Sequence, residues 1–318
     1  MIERVEPSGM QMRKREWGSG APVIALHPLG LESSAFGGFG RALARRGMRT
    51  IAVDLPGFGA TPAPNAPLTM SVMAQPVIEL ARRMRRRPAI IGISMGGRVA
   101  LEAALQAPDQ FRSVVAIAPY LPWLRHRVLL RGARILSPSA MVRWFPLEKA
   151  WPLLKRIADI SMRSPQLRDD EVAQAGARLV YNLSYPATRA SFVSAAREMA
   201  LDPAFGPDGF WSRLPDLSVP ATFVWGGRDR LVGTRSAAPV ARSLPDVLQL
   251  QLACVAHVLN GPHHRCLAET VGALLDEKDA FPKREHEESA GEPVEVDCLV
   301  ESEPLDREEV AAAVREAV

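Results

Sequence analysis

Cysteine is scarce in this chain: its 318 residues include 3, and no two of them form a CxxC pair. Neither a disulfide framework nor a zinc site is expected from so few thiols. No run of 18 or more apolar residues occurs, so no transmembrane helix is expected. The opening Met1-Ile2-Glu3-Arg4-Val5-Glu6-Pro7 lacks the apolar core of an export signal. These absences lead us to expect a soluble protein of the reducing cytoplasm.

Acidic residues are thin over most of the chain and crowded at one end. Residues 280–318 hold 12 acidic and 4 basic groups, leaving 35 basic against 23 acidic elsewhere, within a net charge of +4. Much of the basic excess lies in Arg82-Arg83-Met84-Arg85-Arg86-Arg87 and in residues 121–163, where 9 basic side chains face only Glu148 and Asp159. Such a field suits anionic ligands, acidic membranes or nucleic acid. The arginines, however, come without interleaved aromatics or a nucleic-acid motif. Those at 82–87 fit the last turn of a helix, where cations complement the dipole. No nucleic-acid partner is expected.

What the chain does have is a hydrophobic fraction of 47%, enough for a sizeable core. Its length fits two units, or one large α/β domain with an insertion. Residues 11–17 read as a strand, followed by a glycine turn. Short continuous apolar runs at 22–26, 50–53, 89–93, 114–118 and 221–225, and a longer one at 247–255, have the character of strands buried on both faces. Helical patterns fall between them at 39–46, 71–87 (interrupted by Pro76) and 97–106, with a last one at about 263–276. Alternation of this kind predicts an α/β fold, a mostly parallel sheet flanked by helices, with ligands bound outside the carboxyl ends of the strands.

One stretch breaks the alternation. Between residues 120 and 219 only helical patterns occur, at 125–136, 147–162, 169–181 and 186–199. We expect residues 1–120 and 211–279 to form the core, 121–210 a helical cap, and 280–318 an acidic, largely disordered tail. Within the tail, residues 305–318 have a valine stripe suited to a short helix, and what that segment contacts is left open. The cap opens with Leu121, Trp123, Trp144, Phe145 and Trp151 among arginines. It reads as a lid lining an apolar pocket, as internal cap packing, or as a membrane-surface helix. His27, Trp123 and Trp144 are the pocket residues offered.

The chemistry centres on Gly92-Ile93-Ser94-Met95-Gly96, a GxSxG placed directly between a buried strand and a helix. A serine on so sharp a turn has its hydroxyl exposed at the sheet edge, and flanking glycines let the neighbouring backbones approach. Ser94 is the expected nucleophile, and it needs a base. Of the 6 histidines, His126 lies in the cap, His286 in the tail, and His263 and His264 open the last helix. His257 follows the last strand at the same sheet edge as Ser94, which makes it the expected base. Asp229, just past the strand at 221–225 and 28 residues before His257, is the expected orienting acid. The rival position after residue 118 offers Pro119-Tyr120-Leu121-Pro122, without a carboxylate. The oxyanion hole is expected from the backbone amides of Met95 and of Leu29, since Pro28 has none.

The order Ser94, Asp229, His257, the loop His27-Pro28-Leu29-Gly30, and Asp54-Leu55-Pro56-Gly57-Phe58-Gly59 together resemble the α/β-hydrolase fold superfamily. The resemblance spans about residues 11–276 and is strongest to capped esterases, lipases and C–C-bond hydrolases. It implies a Ser–His–Asp triad acting without metal or cofactor on a small-molecule acyl substrate. Three positions depart from the family pattern: His-Pro stands for His-Gly at 27–28, Ala256 for the glycine before the histidine, and the segment Val258-Leu259-Asn260-Gly261-Pro262 lacks the common downstream Pro and Glu pattern. The expected function is a serine hydrolase cleaving an ester or related carbonyl substrate of apolar character. An acyltransferase, a C–C hydrolase, or a non-catalytic member of the fold are the alternatives.

Overall fold

A computed structural model describes residues 10, 12–122, 152, 154–156, 171–229, 231–253, 255, 263–276 and 293–296. The apolar runs become the strands of one sheet: β1 (Lys14–Trp17), β2 (Ala21–Leu26), β3 (Met48–Val53), β4 (Ala89–Ile93), β5 (Ser113–Ile117), β6 (Ala221–Gly226), β7 (Leu248–Leu252) and β8 (Val294–Val296). Their order is β1-β3-β2-β4-β5-β6-β7-β8. Only β1 runs antiparallel, against β3; the other neighbours are parallel. The carboxyl ends of β4, β6 and β7 therefore share one rim.

Continuous hydrophobicity in these strands follows from burial on two faces. Along β2, Ile24 and Leu26 enter one core while Val23 and Ala25 enter the other. Along β5, Val114 and Ala116 are separated from Val115 and Ile117 in the same way. Helices α1 (Gly37–Arg45), α2 (Met70–Arg82) and α3 (Met95–Gln106) fill the connections. Residues of α2 and α3 join the first core, and Phe39 and Leu43 of α1 join the second. Pro76 does not interrupt α2. It removes one internal hydrogen bond, but Met73, Ala74, Val77, Ile78 and Leu80 around it are all buried, and that packing holds the helix together. The arginine run begins at the end of this helix, where Arg82 and Arg83 pair with Glu79 on an exposed face.

Several expectations are corrected. The first strand starts at Lys14 rather than residue 11. The run at 247–255 ends as a strand at Leu252, whose carbonyl accepts from the amides of both Val255 and Gly227, so the chain turns there. The tail is ordered at Val294–Val296, which pair with Leu250–Leu252. The Val-Glu-Val alternation suits a strand, and β7 would otherwise leave an unpaired edge. Cys266, buried on the last core helix, is disulfide-bonded to a partner outside the described residues, a bond not anticipated from the low cysteine count.

Among the described residues, the segment between β5 and β6 is helical, as expected. Helices α4 (Glu171–Leu183) and α5 (Pro186–Leu201) fall within residues 121–210, the span expected as a cap, and a short α6 (Phe210–Arg213) precedes β6. Residues 152 and 154–156 are helical too; the helix expected at 125–136 and the remainder of that at 147–162 lie outside the described residues. Beyond β6 come α7 (Ala237–Ser243) and α8 (His263–Asp276), and α8 packs on α1.

The cap returns to the core through a buried ionic cluster. Arg98 on α3 donates to Asp202, just past α5, at 2.8 and 3.2 Å, and to Glu102 at 2.9 Å. Arg213 donates to the same Glu102 oxygen at 2.5 Å, and Phe210 lies 4.4 Å beneath the Arg98 guanidinium. Burial pushes the Glu102 carboxyl up, but Arg98, with hydrogen bonds from Arg213 and Gln106, outweighs it and lowers the group to about 2. At Asp202 burial wins, with Glu102 adding to it, and the carboxyl is held above its ordinary value. Removing one partner from such a cluster strands a desolvated charge. Arg98→Met is expected to destabilise the fold by about 3–5 kcal/mol in urea denaturation; a loss below about 1 kcal/mol would show the cluster to be dispensable.

Candidate active site

Ser94 sits between β4 and α3 with φ 52° and ψ −114°. Among the described non-glycine residues only Ser94 and Ala118 have positive φ. This backbone is strained for an L-residue, by about 1–3 kcal/mol, and the surroundings impose it. The Ser94 amide donates to Ile117 O at 3.0 Å, and its carbonyl accepts from Arg98 N and Tyr120 N at 3.1 and 2.9 Å. The flanking glycines allow the crossing. A Cβ on Gly92 would lie 2.1 Å from Gly96 O, and one on Gly96 would lie 2.2 Å from Leu26 O. Helix α3 starts at Met95, two residues earlier than expected, so the Met95 amide belongs to its first turn, where amides have no partner within the helix.

The loop after β2 is a tight turn. Leu31 N donates to Pro28 O at 3.2 Å, and Gly30, at φ 78°, occupies the third position, where a type II turn requires positive φ. Pro28 O also accepts from His27 Nδ1 at 2.9 Å. Carbonyl and amide of a trans peptide point in opposite directions, so the Leu29 N–H is directed away from the His27 ring. Among the described residues neither the Leu29 nor the Met95 amide has a hydrogen-bond acceptor.

His27 was offered as a pocket residue, and the structure corrects this. Its ring has no exposed surface. With Nδ1 donating to Pro28 O, Nε2 accepts from Leu55 N at 3.0 Å, and Phe58 packs edge-on against the ring at 5.4 Å. His27 thus joins the loop after β2 to the loop after β3, where Asp54 accepts from Ser33 N at 2.8 Å and Ala60 N at 2.9 Å. Trp123 and Trp144 lie outside the described residues.

Asp229 follows β6 and is nearly buried, with Oδ1 accepting from Leu231 N and Val232 N at 2.8 Å each. This leaves the second carboxylate oxygen for other partners. The loop carrying it is tied to the chain after β7. Arg228 N donates to Val255 O at 3.1 Å and Gly227 N to Leu252 O at 2.8 Å. A Cβ on Gly226 would meet Val255 O at 2.4 Å, so the Gly226–Gly227 pair is what lets these segments touch. Val255 lies two residues before His257, which is itself outside the described residues. Sequence reasoning missed the purpose of the two glycines, whose only local sign was their position at a strand end. It also missed Asn182 of α4, which donates to Gly30 O at 2.9 Å and has no local signature.

Such a strand–serine–helix elbow on a parallel sheet defines a class. The profile of the alpha/beta hydrolase fold matches residues 21–263, and the chain belongs to that family. It is a hydrolase. A 2-(acetamidomethylene)succinate hydrolase of Mesorhizobium japonicum is 28% identical over 262 residues, covering 81% of this chain and 88% of that protein. A pimeloyl-[acyl-carrier protein] methyl ester esterase of Chromobacterium violaceum is 26% identical over 244 residues, covering 76% and 88%. The crystal structure of the enol-lactonase from Burkholderia xenovorans LB400 superposes with a TM-score of 0.62 at 20% identity, over 86% of this chain and 100% of that one, and shares the fold.

Burial lowers the pKa of His27 from its ordinary 6.5, against the opposing pull of Pro28 O, Asp54 and Glu32. The folded ring stays neutral where the unfolded chain takes up a proton, so its contribution to stability is lost as pH falls below about 6.5. The thermal midpoint of the wild type is expected to fall more steeply between pH 7.5 and 5.5 than that of His27→Asn. At pH 7.5 that variant is less stable by about 1–3 kcal/mol, the usual cost of a lost buried hydrogen-bond partner. Parallel slopes in differential scanning calorimetry would contradict this.

Proposed function

We propose that the protein cleaves an ester or related carbonyl substrate of apolar character through an acyl-enzyme. Ser94 Oγ adds to the carbonyl carbon as His257 takes its proton, and the Leu29 and Met95 amides stabilise the oxygen that becomes negative. Collapse of the tetrahedral intermediate breaks the bond to the leaving group, which departs with the proton from His257. Water, deprotonated by His257, then attacks the acyl carbon and releases the acid and Ser94. Asp229 holds the histidine tautomer and stabilises the imidazolium.

The observation that carries this reading is the strained backbone at Ser94, together with Met95 and Leu29 amides that have no acceptor among the described residues. The tie between Arg228 and Val255 supports convergence of the acid and histidine loops. Apolar specificity is supported by the cap, because Leu179 of α4 and Phe192 of α5 close over Gly30 in the oxyanion loop. The relatives named as a methyl ester esterase and a succinate hydrolase support carbonyl chemistry as the reaction.

With p-nitrophenyl esters of increasing chain length as substrates, Ser94→Ala is expected to lose at least about 10³-fold in kcat, and a fluorophosphonate probe is expected to label the wild type alone. Hydrolysis by Ser94→Ala at the wild-type rate would overturn the proposal.

A further inference from the structure

The oxyanion loop is gripped from two sides. From the core, His27 Nδ1 and Leu31 N both donate to Pro28 O, and Asp54 accepts from Ser33 N. From the cap, α4 presents Arg178, Leu179 and Asn182, one helical turn of a single face. Arg178 donates to Ser34 Oγ and lies 3.5 Å from Glu32 Oε1. Leu179 Cδ1 lies so near Gly30 that a Cβ there would be 2.3 Å from it. Asn182 Nδ2 donates to Gly30 O at 2.9 Å.

These contacts divide the labour within one turn. Core contacts hold the Pro28 carbonyl, and with it the peptide plane whose other end is the Leu29 N–H. The Gly30–Leu31 peptide closes the turn: its Leu31 N–H donates to Pro28 O, and its Gly30 carbonyl is held from the cap, so Asn182 fixes the end of the turn opposite the Pro28–Leu29 peptide. The Gly30 φ of 78° is open to glycine's wide range, so without that contact the turn has less to keep it in one form. A donor displaced by about 1 Å from the developing oxyanion loses much of its catalytic effect.

We infer that Asn182 is a positioning residue for the oxyanion hole, holding the Gly30 carbonyl from the cap so that the Leu29 amide stays aimed at the carbonyl under attack by Ser94. The inference rests on the acyl-enzyme reading above. Cap docking is thereby coupled to the chemical step as well as to substrate fit.

The test uses the full chain with p-nitrophenyl acetate, whose acyl group is too short to draw on cap contacts, and with an alkylboronic acid that adds to the serine and mimics the tetrahedral intermediate. Asn182→Leu removes the donor, and Asn182→Asp replaces it with a carboxylate that repels Gly30 O. Both are expected to lower kcat by about 10–100-fold, to raise the boronate Ki by a similar factor, and to leave KM within about twofold. Arg178→Met, which breaks a cap bond to Ser34 but none to Gly30, is expected to lower kcat by clearly less than either Asn182 variant. Thermal melts identify any variant that fails to fold, and the other Asn182 variant then decides. Unchanged kcat and boronate Ki in a folded Asn182 variant would overturn the inference. So would an equal fall in Arg178→Met, which would trace the effect to cap docking in general. Absence of Ser94-dependent hydrolysis in the wild type would instead defeat the acyl-enzyme reading itself.

Discussion

A serine held at φ 52° is the constraint around which this molecule is arranged. The conformation is unfavourable in isolation, and three backbone hydrogen bonds, one to Ile117 O and two from Arg98 N and Tyr120 N, over-determine it. Those bonds need β5 alongside β4 and α3 stacked directly on the strand end. That stacking in turn needs Gly92 and Gly96, because any side chain there would strike Gly96 O or Leu26 O. The strain is thus sustained by the central part of the sheet, at the end of β4.

The remaining parts reach the same rim by the same device, close contact between backbones. Gly226 and Gly227 let the loop after β7 lie against the loop of Asp229. Gly57 at φ 85° leaves room for Ser191 of α5, and Gly30 leaves room for Leu179 of α4. Polar groups then set orientation. His27 is neutral and buried, and it spends both ring nitrogens on the loops around the oxyanion donor. The Arg98 cluster joins α3, the helix that follows Ser94, to Asp202 just past α5.

Much of this was legible in the sequence. Strands buried on both faces announce themselves as unbroken apolar runs, and β2, β4, β5 and β6 fell within a residue of their expected ends. The elbow was readable because its chemistry is local: glycine, serine and glycine between a strand and a helix. The position of Asp229 just past β6 was readable from the sequence. What escaped depends on contacts between distant segments. His27 has the composition of a pocket residue, and only the fold shows Leu55 N and Pro28 O consuming its nitrogens. The three residues Val294–Val296 sit in acidic, polar surroundings, and their pairing depends on the free edge of β7. Cys266 gave no sign of a disulfide, since pairing is a matter of spatial approach. Asn182 is one polar residue on a helix until Gly30 is placed against it.

The central claim is that Ser94 and the amides of Leu29 and Met95 form one catalytic unit. A crystal structure of the protein carrying an alkyl phosphonate on Ser94 addresses it most directly. The account predicts the phosphoryl oxygen within about 2.7–3.1 Å of both amides, with the His257 imidazole in hydrogen-bonding reach of the Ser94 oxygen. A phosphoryl oxygen turned to solvent, or an imidazole directed away from the adduct, would contradict it.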